Sequence, residues 1–268
     1  MHFAIINSIH NNYIRHVSQI ISNNNYRSKY NQTILEGIHL IERGADFNIK
    51  PEYCIISEEK LYDLQNNLNT KLYNSCKKLL IVTNNIWSKL TSLPNDDILW
   101  VVDTKQLIKD FKNINLNTSG IILDNIQDSG NMGNIIRTAA AANYSWVLAI
   151  GGANICSPKV LRAAMGGHFC LDIFQVNLLE LANIQSVTKN ANIMVTVQNA
   201  QKNIYTIDLP NQHIWVIGNE GNGIDKSWLD IKSIIKVGIP QNSNLESLNA
   251  ASAAAICMYE NIRRNLTI

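Results

Sequence analysis

The sequence has little of what would assign it to a specialised class of protein. Of its 268 residues, 16% are charged, 7% are aromatic and only five are proline. The formal net charge is +2, so total charge does not predict nucleic-acid binding, and any RNA would have to be held by a local basic patch. The 46% hydrophobic content is that of an ordinary globular protein, long enough for one large domain or two modest ones.

The five cysteines argue against a disulfide framework and a zinc motif. Their number is odd, and no two form a Cys-x-x-Cys pair. Most lie in apolar runs, which predicts buried free thiols in a reducing compartment, and we expect a cytoplasmic protein. No apolar run approaches the length of a membrane span, and we see no signal-peptide pattern at the N-terminus.

The first hundred residues alternate between helical and strand-like patterns. Apolar spacing predicts a helix beginning near Asn11 and a second helix over residues 33–45, ended by Gly44. Short apolar runs predict strands at 53–57, 78–83 and 98–103. This pattern is typical of a small α/β domain.

The remainder of the chain shows a cleaner pattern. Continuous apolar runs, typical of strands buried on both faces of a parallel sheet, occur at 120–124, 146–151, 172–176, 193–198, 214–218 and 234–240. Helices are predicted at 134–142, 157–165 and 247–264. We therefore predict an α/β domain at 1–103, a polar linker at 104–119, and an open α/β sheet with helices on both faces at 120–268.

Three polar segments follow strands of this predicted sheet, where ligands of open α/β sheets bind. In the first, Gly130 and Gly133 lead into a helix, with Asn131 between them. Exposed amides there could bind an anion, although a glycine-containing turn with an Asn cap is the simpler interpretation. Arg137 lies further along this helix and could clamp a phosphate, or could be a solvated surface residue.

The second segment, Gly218 to Gly223, is glycine-rich and carries one carboxylate, Glu220, which could accept ribose hydroxyl protons or belong to a plain turn. In the third, Ser243 and Glu246 fit a helix capping box, which leaves the polar residues Ser247 and Asn249 unexplained. Each segment alone is weak evidence. The three in this order, on successive strand ends, are much stronger evidence of a binding site.

Together the segments resemble the motifs of the SpoU-type (TrmH-like) RNA 2′-O-ribose methyltransferases of the SPOUT superfamily. The first motif is present as Asn131, Gly133 and Arg137, the second as residues 218–223, and the third as Ile239, Pro240 and residues 246–249. Segments 157–169 and 30–45 also resemble parts of the family, so the resemblance covers essentially the whole chain. Two departures, Ser129 for proline and Asn134 for threonine, remove no side chain with a proposed chemical role.

The resemblance implies a C-terminal knotted SPOUT methyltransferase domain with a parallel sheet, preceded by a small ribosomal-protein-like α/β domain that binds substrate RNA. It also implies a homodimer, S-adenosyl-L-methionine as cofactor, and methylation of a ribose 2′-hydroxyl. No metal is needed. The full-length N-terminal domain favours ribosomal RNA over transfer RNA.

Matching positions assign the site residues. The cofactor would be bound, largely through backbone, by Gly218, Ile239 and Leu248. The catalytic residues would be Arg137, Asn131, Glu220, Ser247 and Asn249. In the family this arginine has been proposed as the base, but a guanidinium, with a pKa above about 12, makes a poor one. We favour an electrostatic clamp on the developing alkoxide.

Candidate phosphate contacts outside these motifs are Arg15, Arg27, Lys29, Lys77 and Lys78. Two rival hypotheses remain open: a catalytically inactive RNA-binding or assembly factor on the same fold, and a SPOUT enzyme that methylates a base nitrogen. The complete polar set argues against the first, and Glu246 to Asn249 favour ribose over base. A nicotinamide-dependent dehydrogenase would fit the sheet, but the dinucleotide fingerprint is missing.

Overall fold

The computed structural model describes residues 5–60, 72, 76–91, 98–198, 200–242, 244 and 247–266. The chain divides into two compact units. Unit 1 comprises residues 1–107 and 156–169, and unit 2 comprises residues 108–155 and 170–268. Within the described residues, no helix combines the length and the apolar character that a membrane span requires.

Unit 1 contains a mixed five-stranded sheet in the order β1-β4-β3-β5-β2. Its strands are β1 (Ile5–Ile6), β2 (Gln32–Glu36), β3 (Pro51–Ser57), β4 (Lys78–Val82) and β5 (Ile98–Asp103). Its helices include α1 (Asn12–Ser22), α2 (Asn24–Tyr30), α3 (Ile38–Asp46) and α4 (Asn84–Leu90). β1 and β3 are parallel to β4, whereas β5 is antiparallel to both β3 and β2. The predicted helix near Asn11 and the three predicted strands are confirmed.

The predicted helix over residues 33–45 is wrong in its first part, where the chain forms β2. Its partner β5 is about 65 residues away in sequence, with Gln32 opposite Asp103, so the local pattern could not reveal the pairing. Gly44 does not end the helix either, because it lies buried inside α3. A Cβ at Gly44 would lie 3.3 Å from Leu35 Cδ1, so the glycine lets α3 pack closely on β2.

Residues 156–169 belong to unit 1, although they follow a strand of unit 2. They form α6 (Pro158–Ala164) and the start of α7 (Gly167–Cys170), and Ser157 caps α6 by accepting from the Val160 amide at 3.3 Å. The Thr33 hydroxyl donates to the Cys156 carbonyl at 2.5 Å, and Arg162 forms an ion pair with the buried carboxylate of Glu36. These contacts join the segment to β2.

Unit 2 contains a seven-stranded sheet in the order β10-β12-β9-β11-β6-β7-β8, with every neighbouring pair parallel. Its strands are β6 (Gly120–Asp124), β7 (Trp146–Ile150), β8 (Asp172–Val176), β9 (Ile193–Thr196), β10 (Lys202–Asn203), β11 (Ile214–Gly218) and β12 (Ile235–Gly238). Its helices include α5 (Ser129–Ala141), α8 (Leu181–Thr188), α9 (Lys226–Leu229) and α10 (Ala250–Asn265). The predicted parallel α/β sheet is confirmed.

The predicted linker, residues 104–119, is not a free connection in the structure. Two short 3-10 turns lie at Thr104–Gln106 and Phe111–Asn113, and Phe111, Ile114 and Leu116 pack against the core of unit 2. From residue 108 onwards the segment therefore belongs to unit 2. The functional assignment of the two domains stays a prediction.

The strand register of unit 2 brings three chain segments to one edge of the sheet. Val195 of β9 pairs with both Val216 of β11 and Lys236 of β12, so the ends of β11 and β12 are level. On the other side of β11, Gly218 pairs with Asp124, the last residue of β6. The polar segments that the sequence analysis identified therefore all leave the sheet at the same edge.

Candidate active site

The first polar segment begins with a capped helix. Asp128 is the N-cap of α5, and its Oδ1 accepts from the Asn131 amide at 2.7 Å. The helix thus begins at Ser129 rather than at 134, and Gly130 and Gly133 lie inside its first turns. Because the Asp128 carboxylate already occupies this helix terminus, the amide of Asn131 is not available to an external anion.

The side chain of Asn131 connects the three segments. Its Nδ2 donates to Glu220 Oε1 at 2.9 Å, and its Oδ1 accepts from Asn249 Nδ2 at 2.9 Å. The second carboxylate oxygen of Glu220 accepts from the Gln127 amide at 3.4 Å. Three predicted site residues, far apart in sequence, thus form one chain of hydrogen bonds from Asn249 through Asn131 to Glu220.

Asn249 also determines where α10 begins. Its Oδ1 accepts from the amides of Ala251 at 2.9 Å and Ser252 at 3.2 Å, which makes it the N-cap. The helix therefore starts at Ala250, three residues later than predicted. The capping pair proposed from the sequence, Ser243 and Glu246, lies outside the described residues.

The second segment is held by Asn219, which the sequence analysis missed. Asn219 Nδ2 donates to the Asn125 carbonyl at 2.8 Å, while its Oδ1 accepts from the Gly221 amide at 2.8 Å. The backbones of Asn219 and Gly223 also exchange hydrogen bonds of 2.8 and 2.9 Å. An asparagine beside glycines is the usual signal for such a side-chain turn and could have indicated it.

A buried carboxylate, Asp124, binds the backbone just after this loop. Only 2% of Asp124 is exposed, and its Oδ2 accepts from the Asp225 amide at 2.6 Å. Burial raises the pKa of this carboxyl, an effect that the hydrogen bond from the Asp225 amide partly opposes. An acidic residue at the end of an otherwise apolar strand was visible in the sequence, yet its partner, about 100 residues away, was not.

Arg137 lies beyond the hydrogen-bonded chain, on the exposed face of α5. Arg137 lies six positions after Asn131, which corresponds to about 9 Å along the helix. Arg137 lines an open groove of about 540 Å³ that is also lined by Asn249, Ser252 and Tyr259. In the described part of the chain its guanidinium makes no hydrogen bond or ion pair, so it is available to a ligand.

The other predicted residues lie at the same edge without joining the chain of hydrogen bonds. Ser247 is exposed, and Ile239 and Leu248 are half-buried. Gly218 ends β11 where a Cβ would lie 2.3 Å from the backbone of Gly223 and Ile224, so only glycine allows the loop to fold back this closely. Since β9 lies between β11 and β12, Gly218 and Ile239 leave the sheet about 10 Å apart.

Residues 119–259 match the SpoU rRNA Methylase family. Over 96% of its length the chain is 29% identical to an uncharacterized tRNA/rRNA methyltransferase of Synechocystis sp., of which the alignment covers 93%. It is 34% identical to the 23S rRNA (guanosine(2553)-2′-O)-methyltransferase RlmP of Bacillus subtilis, over 52% of this chain and 56% of that protein. A solved structure of an AdoMet-bound rRNA methyltransferase from Sinorhizobium meliloti shares the fold, with a TM-score of 0.83 and 22% identity over 99% of each chain. Because the family match spans more than half of its residues, this chain belongs to the SpoU rRNA methylase family.

Proposed function

We propose that this protein transfers the methyl group of S-adenosyl-L-methionine to a ribose 2′-hydroxyl of RNA, with ribosomal RNA as the substrate. The observation that carries the proposal is the chain of hydrogen bonds from Asn249 through Asn131 to Glu220. It places polar groups from three separate segments around one point at the edge of the parallel sheet. The family membership and the names of the relatives support the same reaction.

The residues present fit the cofactor. Because Gly218 has no Cβ, the backbone of Gly223 and Ile224 packs closely against it, and peptide groups lie at the end of β11. Ile239 and Leu248 supply half-buried apolar surface. Such a mixture of peptide groups and apolar side chains suits an adenosine with an amino-acid tail. When bound, the cofactor supplies an electrophilic methyl group on a sulfonium. Gly218, Ile239 and Leu248 would hold it.

The role of the polar chain is to orient the ribose. The side-chain amide of Asn131 holds the Glu220 carboxylate in one orientation, and the side chain of Asn249 in turn holds that of Asn131. Glu220 can then accept a hydrogen bond from a ribose hydroxyl, and the exposed Ser247 can contact the same sugar. Fixed orientation of reacting groups can lower such a barrier by roughly 7–11 kcal/mol.

Arg137 would act as an electrostatic clamp. As the 2′-hydroxyl attacks, negative charge develops on its oxygen, and an adjacent phosphate adds more. A guanidinium that makes no hydrogen bond or ion pair with the described residues is suited to stabilise both charges with its fork of donors. Its position in the groove beside Asn249 supports this role.

Four further features belong to the proposal. The C-terminal domain is knotted, and the N-terminal α/β domain is ribosomal-protein-like and binds RNA, both of which follow from the family resemblance. The protein is a homodimer, as the family resemblance also implies. It works in the reducing cytoplasm, consistent with five cysteines that form no disulfide. Sedimentation over a range of protein concentrations tests the dimer.

The first test of the proposed function is a calorimetric titration of the full chain with S-adenosyl-L-methionine. Wild type should bind, and Leu248→Arg should abolish binding, because a charged side chain would occupy the apolar surface. Leu266→Arg is the matched control, since Leu266 is 61% exposed and lies at the far end of α10.

The second test is transfer of labelled methyl groups to ribosomal RNA, followed by alkaline hydrolysis. Ribose methylation leaves alkali-resistant dinucleotides, whereas methylation of a base nitrogen does not. A wild-type protein that binds RNA but neither binds the cofactor nor transfers methyl would favour the inactive assembly factor.

A further inference from the structure

The N-terminal part of unit 1 carries no carboxylate side chain until Glu36. Two of the three Lys and Arg residues before that point, Arg15 and Lys29, are exposed and form no ion pair within the described residues. The third is different: Arg27 is buried and donates to the carbonyls of Ile20 and Ile21 at the end of α1, at 2.8 and 3.0 Å. The segment that forms α1 and α2 is therefore positively charged and contains no acid of its own, although Asp103 of β5 lies opposite Gln32, just after this segment.

Three aromatic rings form a cluster on this surface, in which His16 meets both tyrosines edge to face and the two tyrosine rings are tilted by 36°. The ring centroids of Tyr26 and Tyr30 are 4.5 Å apart, and His16 lies 5.4 Å from Tyr26 and 5.1 Å from Tyr30. Tyr30 is 44% exposed, so one ring of the group offers a free face to solvent. The ammonium of Lys29 lies 5.5 Å from the Tyr30 centroid.

Hydrogen bonds hold the cluster rigid. Gln32 Oε1 can only accept, so the His16 Nε2–H donates to it at 2.7 Å. His16 Nδ1 is then the acceptor for the Tyr26 hydroxyl at 2.9 Å. Because both ring nitrogens of His16 are occupied, the aromatic group keeps its arrangement before any ligand arrives.

Beside the rings is an open pocket of about 410 Å³, lined in part by Asn12, Arg15, Gln19 and Tyr26. Its size is in the range of small-ligand pockets. The amides of Asn12 and Gln19 can pair with both donors and acceptors, as the edges of nucleobases require. A site for phosphate alone would not require aromatic faces or amides, and a site for an apolar peptide would not require the charges of Arg15 and Lys29.

We propose that this surface, formed by α1 and α2, binds an unpaired nucleotide of the substrate RNA other than the one whose ribose is methylated. One base stacks on the free face of Tyr30, its edge faces the amides of the pocket, and Arg15 and Lys29 contact the flanking phosphates. Aromatic stacking with nearby cations is how proteins generally hold single-stranded RNA. This inference rests on the proposed function in taking RNA as the substrate, and it adds a site for an unpaired segment.

The test measures binding of a short, labelled, unstructured RNA to the full-length protein by fluorescence anisotropy. Tyr30→Ala should weaken binding by roughly 5- to 100-fold, since stacking contributes on that scale per base, and Tyr30→Phe should retain it. Arg15→Ala should weaken binding and lower the slope of log affinity against log salt by about one. A duplex of the same length should bind more weakly than the single strand.

Two variants serve as matched controls. Lys50→Ala also removes one exposed positive charge from unit 1, but Lys50 lies outside α1 and α2, so little change is expected. Tyr205→Ala removes a tyrosine of similar exposure, 52%, from unit 2. Equal losses in the controls, unchanged affinity in Tyr30→Ala, or preference for the duplex would each overturn the inference.

Its failure is separable from failure of the proposed function. Tyr30→Ala and Arg15→Ala should bind S-adenosyl-L-methionine as wild type does and should raise the KM for ribosomal RNA without lowering kcat. If both variants methylate ribosomal RNA with unchanged KM, this site is refuted while the enzyme stands. If wild type binds the RNA but never transfers methyl, the proposed function fails and the binding site stands.

Discussion

At the scale of single residues, the site residues that could be predicted are polar and lie in segments that follow predicted strands. Asn131, Glu220 and Asn249 follow strands in three polar segments, and the structure joins them by hydrogen bonds. Asp124 was not predicted, because its function depends on the amide of Asp225 across the sheet edge. A local pattern contains no information about such a partner.

Arg137→Ala should lower methyl transfer by at least about 100-fold while leaving the affinity for S-adenosyl-L-methionine nearly unchanged. The physical reason is that the guanidinium acts on charge that develops only in the transition state. Single-turnover methylation and calorimetry measure the two quantities. Lys236→Ala, which removes an exposed charge from β12, is the control. Parallel loss of cofactor affinity would contradict the proposed role of Arg137.

Asn249 both caps α10 and donates to Asn131, and two substitutions can separate these functions. Asn249→Ala loses the helix cap and should cost roughly 0.5–2 kcal/mol of stability. Asn249→Asp keeps an oxygen for the amides of Ala251 and Ser252 but has no donor for Asn131, so it should be nearly as stable as wild type and much less active. Thermal unfolding and methyl transfer test this; full activity in Asn249→Asp would show that the link to Asn131 is dispensable.

At the scale of elements, prediction succeeded for buried strands and failed where a long-range pairing decided the outcome. The run Ile98–Asp103 and the run Asp172–Val176 were predicted residue for residue, because continuous apolar runs of this length have few other stable arrangements. Residues 32–36 became a strand because β5 was available to pair with them. Their spacing alone fits a helix equally well.

The loop after β11 should tolerate alanine at one glycine and not at another. Gly218→Ala would place a Cβ 2.3 Å from the Gly223 and Ile224 backbone, whereas at Gly221 the nearest atom is Asn219 Oδ1 at 3.6 Å. We expect Gly218→Ala to cost about 1–3 kcal/mol and to abolish cofactor binding, because the backbone must move apart. Gly221→Ala should resemble wild type. Equal Tm and cofactor affinity in both variants would show that the loop is not tightly folded.

At the scale of the whole molecule, the C-terminal end of α10 contains a cluster of charged residues, one of which attaches the helix to another part of unit 2. The buried Glu260 pairs with Arg263 at 2.8 Å and Arg264 at 2.6 Å, and Arg264 donates to the Ile204 carbonyl at 2.7 Å. The hydrogen bonds from Arg263 and then Arg264 lower the pKa of Glu260 to about 2, although burial opposes them. Between a pH of about 2 and 4.5, this carboxyl is therefore mostly ionised in the folded protein and mostly protonated in the unfolded chain.

The pH dependence of stability follows from that difference. A carboxyl with a folded pKa of about 2 and an unfolded value of 4.5 contributes stability above pH 4.5 and loses it as the pH falls towards 2. The contribution is roughly 1–3 kcal/mol, reduced by the solvent exposure of Arg263. Denaturant unfolding across this range should show a shallower acid decline in Glu260→Gln than in wild type. Identical slopes would assign the acid loss to other carboxylates.

Because segment 156–169 belongs to unit 1, neither unit is one continuous stretch of the chain. The backbone passes between them three times, at residues 107–108, 155–156 and 169–170, rather than once. A truncated chain that contains only the second half would carry α6 without the surface of β2, and would expose Val160 and Leu161, which are otherwise buried. Evolution by exchange of whole domains is correspondingly restricted, because a new N-terminal domain must also accept this helix. Limited proteolysis at any single one of the three crossings should leave two fragments that remain associated.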